Sequence, residues 1–241
     1  RVVSGRVHAF MLEKSRLVNQ NVGEGTFHIM NFLLDGAPRK ILSELEIAET
    51  PLHSCRRGYF EGPEPEEDTS DGNGGNSDDE GSDAWRYMNI EGADESHRNN
   101  EGQTVAERDF ARVAEAMVAS LGISEATMTG LWQLLAALLH LGQIIFVEGN
   151  EDGTHLGTEV NSGGVDENRH IQAAAKLLGV PARALHKALS EHIIGRVGRR
   201  TSIQTKFLNK CQASANRDAL SKEIYQRIFD WVLRAANRAT N

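Results

Sequence analysis

Cysteine is almost missing from this chain: Cys55 and Cys211 are the only two among 241 residues. Two thiols make no disulfide framework, so a reduced, intracellular setting is expected. The opening stretch RVVSGRVHAF has no apolar h-region, and no secretory leader is expected there. A membrane-length apolar run is missing too. The nearest approach, Leu131 to Val147, is broken by Gln133, His140, Gly142 and Gln143, which leaves it too short and impure to span a bilayer. Catalytic signatures are also wanting. There is no GxxxxGK[ST] phosphate loop, no GxGxxG after a strand, no HExxH, no CxxC and no GxSxG. The nine histidines fall into no metal-ligand spacing with a neighbouring Cys or His. Taken alone, the chain does not read as a complete enzyme.

What is present begins with an apolar content of 39%, enough for a real core, and a formal charge of −8. The charge is unevenly placed. Residues 61–83, EGPEPEEDTSDGNGGNSDDEGSD, hold ten carboxylates and no base, and taking those ten charges from −8 leaves +2. This tract has almost nothing to bury, so it is expected to be a disordered acidic insertion on the surface. The opposite case is GRVGRRTS at residues 195–202, a knot of positive charge ending in a serine. Between Arg196 and Lys210 stand five cations, Arg196, Arg199, Arg200, Lys206 and Lys210, and no carboxylate.

Most of the chain has helical punctuation. Thr104-Val105-Ala106-Glu107 has the form of a capping box and opens an amphipathic run through Phe110, Val113, Met117 and Leu121 to Gly122. A second helix is expected over about Glu125–His140, with Gly142 in the left-handed conformation that ends it and Ile144–Val147 as a short buried strand. Residues 148–165 read as a polar, glycine-rich loop. Asp166 is expected to cap a helix running to Leu178 and stopped by Gly179. A helix from Pro181 to about His192 and another over about Asn216–Asn237 follow, the last burying Leu220, Ile224, Ile228, Phe229, Trp231 and Val232. Nearer the start, Arg6–Val18 suggests a strand, Phe27–Leu34 a helix stopping at Asp35-Gly36-Ala37-Pro38, and Leu42–Ile47 a further short helix. His28 and His140 read as core or boundary imidazoles, and Met11, Met30 and Met117 as packing residues. The fold class is mainly α with a few short β-strands (α+β).

Four ordered stretches resemble one family. Phe10–Val18, FMLEKSRLV, is similar to the Y-L-L-E-K-S-R-V-V strand of myosin motor domains, and Gly23–Ile29, GEGTFHI, resembles the G-E-R-N-F-H-I that follows it. Leu134–Phe146, LLAALLHLGQIIF, is close to L-A-A-I-L-H-L-G-N-I-x-F. Arg217–Lys222 with Ile224-Tyr225 and Phe229–Val232 resembles R-D-A-L-A-K-x-I-Y followed by F-D-W-x-V. Gly25, Thr26 and Met30-Asn31 depart from the family pattern, which has Arg, Asn and an aromatic pair there. The resemblance is closest in style to the amoeboid, class I members. It implies that residues 1–241 are a partial motor domain of the P-loop NTPase superfamily without the P-loop itself: the upper 50-kDa segment between switch I and switch II.

The implied function is mechanical. Such a segment is expected to carry part of the actin-binding cleft and the transducer of an actin-based motor ATPase in the cytoplasm, on the actin cytoskeleton. ATP and Mg2+ would belong to the full-length motor and not to residues of this segment. The implied partners are F-actin, the rest of the myosin head, and a light chain or calmodulin on a neck elsewhere, with neither nucleic acid nor a membrane span. A degenerate head retained as a non-motor actin-binding module is the alternative. GRVGRRTSIQTKFLNK falls where the family has its cardiomyopathy loop, which implies an actin contact through Arg196, Arg199, Arg200, Lys206 and Lys210. A solvated loop without a partner is the plain reading, and a polyanion contact lacks the aromatic interleaving that base stacking uses. Ser202, sixteen residues before Asp218, falls where the family has an acidic or phosphorylatable residue, which makes it a regulatory phosphorylation candidate. An ordinary exposed serine is the other reading.

Overall fold

A computed structural model describes residues 5–20, 25–47, 103–148, 158–160, 165–166, 168–197 and 202–240; at 148, 158–160, 193–197 and 202–204 it describes backbone alone. The acidic tract 61–83 and Arg199-Arg200 lie outside the described residues. The stretch expected as a strand, Arg6–Val18, pairs with no strand among them. Met11 takes a left-handed φ of 53°, which a regular strand does not contain, and Ser15–Val18 (α1) closes one helical turn. Alternation of apolar residues predicts extension, but a strand also needs a neighbour for its ladder. Met11 is 86% exposed and Phe10 91%, so Met11 is not the packing residue expected, whereas Leu17 is fully buried.

Next come His28–Gly36 (α2) and Arg39–Glu44 (α3). The second lies three residues earlier than expected, because Pro38 sets up its first turn. His28 is exposed, contrary to its reading as a core or boundary imidazole, while Met30 is fully buried. The capping box is real: Thr104 N–H donates to Glu107 Oε2 at 2.7 Å and Glu107 N–H to Thr104 Oγ1 at 3.2 Å, opening Val105–Glu115 (α4). Gly36 has a use beyond stopping α2. A β-carbon there would sit 2.2 Å from Ala106 O, so only glycine lets the backbones of α2 and α4 touch. A π-helical turn at Ala116–Ser120 follows α4, and Gly122 ends it at φ 65°.

The core is organised around Glu125–Gly142 (α5), capped by Ser124. Leu138 and Leu141 are fully buried, and Trp132, Leu135 and Leu139 nearly so. From Leu135 to Gly142 every residue is buried, so this half of the helix lies inside, while Glu125, Thr127, Thr129 and Gln133 in the first half are exposed. Gly142 does not end it in the left-handed conformation; Gly142 is helical and buried, and Gln143 at φ −85° is the cap. Phe146–Glu148 (β1) then pairs antiparallel with Thr158–Val160 (β2), placing a short strand within the expected loop 148–165. Ile144 and Phe146 are buried but Ile145 and Val147 are more than a third exposed, so the strand is half-buried and alternating.

Arg169–Leu178 (α6) packs along α5 and ends at Gly179 in the left-handed region, with Val180 N–H returning to Ala175 O. Its cap is Asn168, not Asp166: Asn168 Oδ1 accepts from the amides of His170 and Ile171. Asp166 instead pairs with Arg183. Ala182–Ser190 (α7) stops two residues short of His192, where Glu191–Val197 (β3) begins; Ser202–Phe207 (β4) returns antiparallel. Lys210–Ala239 (α8) closes the chain, starting six residues earlier than Asn216. The second capping box, between Asn209 and Gln212, fixes that start. On α8, Ala213, Arg217, Ser221, Tyr225, Ile228 and Ala235 are buried, while Leu220, Ile224, Trp231 and Val232 are only partly so. Among the described residues no helix is long and apolar enough to cross a membrane.

Candidate functional site

The β3–β4 ribbon rises directly from α7 and descends directly into α8. Its base is pinned from both sides. Leu208 N–H donates to Ser190 O at 2.8 Å, Ser190 Oγ to His186 O at 2.9 Å, and Asn216 Nδ2 to Leu189 O at 3.3 Å. The pairing runs Glu191 to Phe207, His192 to Lys206 and Ile193 to Thr205, then shifts by one residue at a bulge before Gly195. A bulge of this kind increases local twist and bends the strand it sits in. Beyond it, Gly195 faces Gln204, Arg196 faces Ile203, and Val197 faces Ser202.

This topology collects three of the predicted residues on one ribbon. Arg196 lies on β3, Ser202 starts β4, and Lys206 lies near its end; Lys210 is the first residue of α8. Arg199 and Arg200 fall between the strands and outside the described residues. Lys206 is exposed opposite an exposed His192. Lys210, also exposed, opens a helix whose first turn has no acidic residue. A cation at a helix N-terminus opposes the macrodipole, at a cost of up to about 1 kcal/mol. Helix stability therefore gives no reason for Lys210. Phe207 adds a side chain 48% exposed beside them. Glu191, at the ribbon base, lies 3.7 Å from Lys187 on α7.

Behind the ribbon, α8 makes two buried connections that the sequence reading missed. Arg217, 6% exposed, donates from Nη1 to Ile144 O at 2.6 Å and lies 2.8 Å from Asp218 Oδ1. Ser221 Oγ donates to Arg217 O. Arg217 was legible only as part of a motif, because a guanidinium is ordinarily placed on the surface. Farther along, Tyr225 stacks on Phe27 with ring centroids 4.3 Å apart, and burial raises its hydroxyl above its ordinary pKa. Next to that stack, Ile29, Met117, Trp132, Ile228 and Val232 line an apolar cleft of about 220 Å³.

A polar chain crosses the α5–α6 seam. His140 and His170 face each other with Nδ1 atoms 3.1 Å apart, His140 Nε2 lies 3.1 Å from Leu45 O, and Arg169 Nε lies 3.3 Å from His170 Nε2. One assignment satisfies all three: Arg169 donates to His170, His170 Nδ1–H to His140, and His140 Nε2–H to Leu45 O. Both imidazoles are then neutral. Burial lowers the pKa of His140 to about 4 and, with His140 itself, that of His170 to about 3. His140 is thus the hydrogen-bonded core histidine expected.

No three described His, Cys, Asp or Glu side chains stand close enough together to hold a metal ion. No chemical step is assigned to the described residues.

The described residues thus bring together a largely buried helix, a half-buried thirty-residue helix and a two-stranded ribbon that carries Arg196 and Lys206. The chain matches the myosin head (motor domain) family over residues 1–241 and belongs to it. It is 30% identical to Myosin IE heavy chain of Dictyostelium discoideum over 99% of its length, which is 20% of that protein. It is also 30% identical to unconventional myosin-Ig of Homo sapiens, across 98% of the chain and 19% of the relative. Myosin-1 of Schizosaccharomyces pombe is 28% identical, again over 98% of the chain and 16% of its own length. The chain thus spans about a fifth of these class I relatives.

Proposed function

We propose that this chain supplies the actin-facing ribbon and a coupling helix of a cytoskeletal motor ATPase. The carrying observation is the β3–β4 ribbon, which joins two helices and holds Arg196, Ser202 and Lys206 next to Lys210. Five cations without a carboxylate between 196 and 210 suit an acidic filament, steering encounter and adding salt-sensitive affinity. ATP and Mg2+ would be held by the rest of the head, with a light chain or calmodulin on a neck beyond it. The setting would be the cytoplasmic actin cytoskeleton. Phosphate on Ser202 would bring about −1.5 to −2 charges into the ribbon and tune that contact.

The test uses the motor that contains this chain. Changing Arg196, Arg199 and Arg200 together to Gln should weaken actin co-sedimentation several-fold at low salt and flatten its salt dependence. Ser202→Glu and Ser202→Ala should differ in actin-activated ATPase. Unchanged actin affinity in the triple variant would remove the ribbon from the interface, and equal rates in the Ser202 pair would remove its regulatory role.

A further inference from the structure

The two ends of α8 are held differently. Its start continues from β4 through Asn209, while its end is tied to a segment 230 residues away in sequence. Asn237 Oδ1 accepts the Val7 amide at 2.7 Å, and Asn237 Nδ2 donates to Val7 O at 2.9 Å. One carboxamide thus takes both backbone groups of one residue, as a neighbouring strand residue does in a ladder. This fixes the side-chain orientation, since the oxygen must meet the N–H and the nitrogen the C=O. Three residues on, Thr240 Oγ1 lies 2.9 Å from Gly5 O. Positions 237 and 240 lie about one helical turn apart, so the end of α8 reaches both Val7 and Gly5. Val7 is itself 53% exposed. Side-chain burial does not hold the segment here; these polar bonds do.

We infer that Asn237 is a positioning residue that locks the C-terminal end of α8 to the segment at Gly5–Val7, so that movement of the ribbon end is delivered to that segment. The coupling role rests on the proposed function; the lock does not. Thirty helical residues make a rod of about 45 Å. Arg217 grips Ile144 O near one end of this rod and Asn237 grips Val7 at the other. A rod transmits displacement only if its far end is fastened. The two-bond amide is that fastening, and it is specific to one residue of the segment.

Two measurements separate the lock from its use. In this chain, amide hydrogen exchange is followed at Val7 for wild type, Asn237→Asp and Asn237→Leu, with Leu138 on α5 as the reporter of an intact fold. Asn237→Leu should speed Val7 exchange by about five-fold, the worth of one ordinary hydrogen bond. Asn237→Asp should fall between, because it keeps the acceptor for Val7 N–H and loses the donor to Val7 O. Equal Val7 exchange in all three, with Leu138 protected, would overturn the lock. In the motor containing this chain, Asn237→Leu should retain basal turnover and actin affinity but lose most of the actin activation of turnover. Full activation would overturn the coupling role. A wild-type motor that actin does not activate would instead sink the proposed function, and Val7 exchange would still decide the lock.

Discussion

Two helices of this chain, α5 and α8, are held in place by opposite means. Of α5's eighteen residues eleven are buried, and from Leu135 to Gly142 all are, so packing around that half fixes its position. Of α8's thirty residues only six are buried, and two of those are Arg217 and Ser221. Dense burial resists displacement in any direction, since a close-packed interior has no second arrangement nearby. Discrete hydrogen bonds at a few points can be exchanged one at a time. A fixed post beside a re-seatable rod is what a two-state mechanical element needs. The largest effect expected from breaking this comparison is on the post. Leu138→Ala on α5 should lower unfolding free energy by about 4 kcal/mol, through lost burial and the cavity left behind. Leu220→Ala on the half-buried face of α8 should cost about 1 kcal/mol, in proportion to the smaller area removed from water. Urea midpoints of the two variants measure the ratio. Equal losses would mean that α8 is packed as firmly as α5.

The rod's own strength is concentrated in Arg217. Arg217→Leu would leave Ile144 O without this donor and remove the cation beside Asp218, in a place where the guanidinium is nearly excluded from water. Breaking one side of a buried polar contact of this kind is expected to cost about 3 kcal/mol. Arg217→Lys should recover part of it, because an ammonium keeps the charge but lacks the planar fork that reaches carbonyl and carboxylate together. If Lys restored full stability in urea unfolding, charge alone would account for the contact and the directional bond to Ile144 would be unnecessary.

Local chemistry made much of this legible beforehand. The Thr104–Glu107 capping box, the leucines of α5 and the left-handed Gly179 are each determined within a few residues, and each stands where the spacing put it. Contacts made over long sequence distances were harder. Arg6–Val18 alternates correctly, yet pairing depends on a neighbour that alternation does not reveal. The helix before the ribbon was drawn to His192 because Leu185 and Leu189 continue a helical spacing, whereas cross-strand pairing with Lys206 claims His192 for β3. The early start of α8 did have a readable signal in Asn209 and Gln212, three apart. Asp166 is the expected cap of α6, but it pairs with Arg183, seventeen residues away, and Asn168 takes the free amides instead. Of the ribbon residues, the charge pattern marked the cations, but nothing in sequence distinguished Arg217 or Asn237 as fastening points.

A last expected effect depends on pH and tests His140, the polar side chain buried on the core face of α5. His140 and His170 both have folded-state pKa values below the ordinary 6.5, at about 4 and about 3. As pH falls, the unfolded chain takes up these protons first. The pair's contribution is therefore whole above about pH 6.5 and is lost progressively as pH drops toward the folded values. The charged groups around it do not cancel this: Arg169 opposes protonation of both rings, while Glu46, which favours it at His140, is itself paired with Lys176. Stability should fall by about 2 kcal/mol between pH 6.5 and about 5.5, roughly half from each ring. His170→Gln keeps an N–H donor for His140 Nδ1 without titrating, so it should halve the slope of urea stability against pH. An unchanged slope would mean that His170 takes up its proton at the same pH in the folded and the unfolded chain, and that packing alone, without this hydrogen-bonded pair, holds α6 against α5.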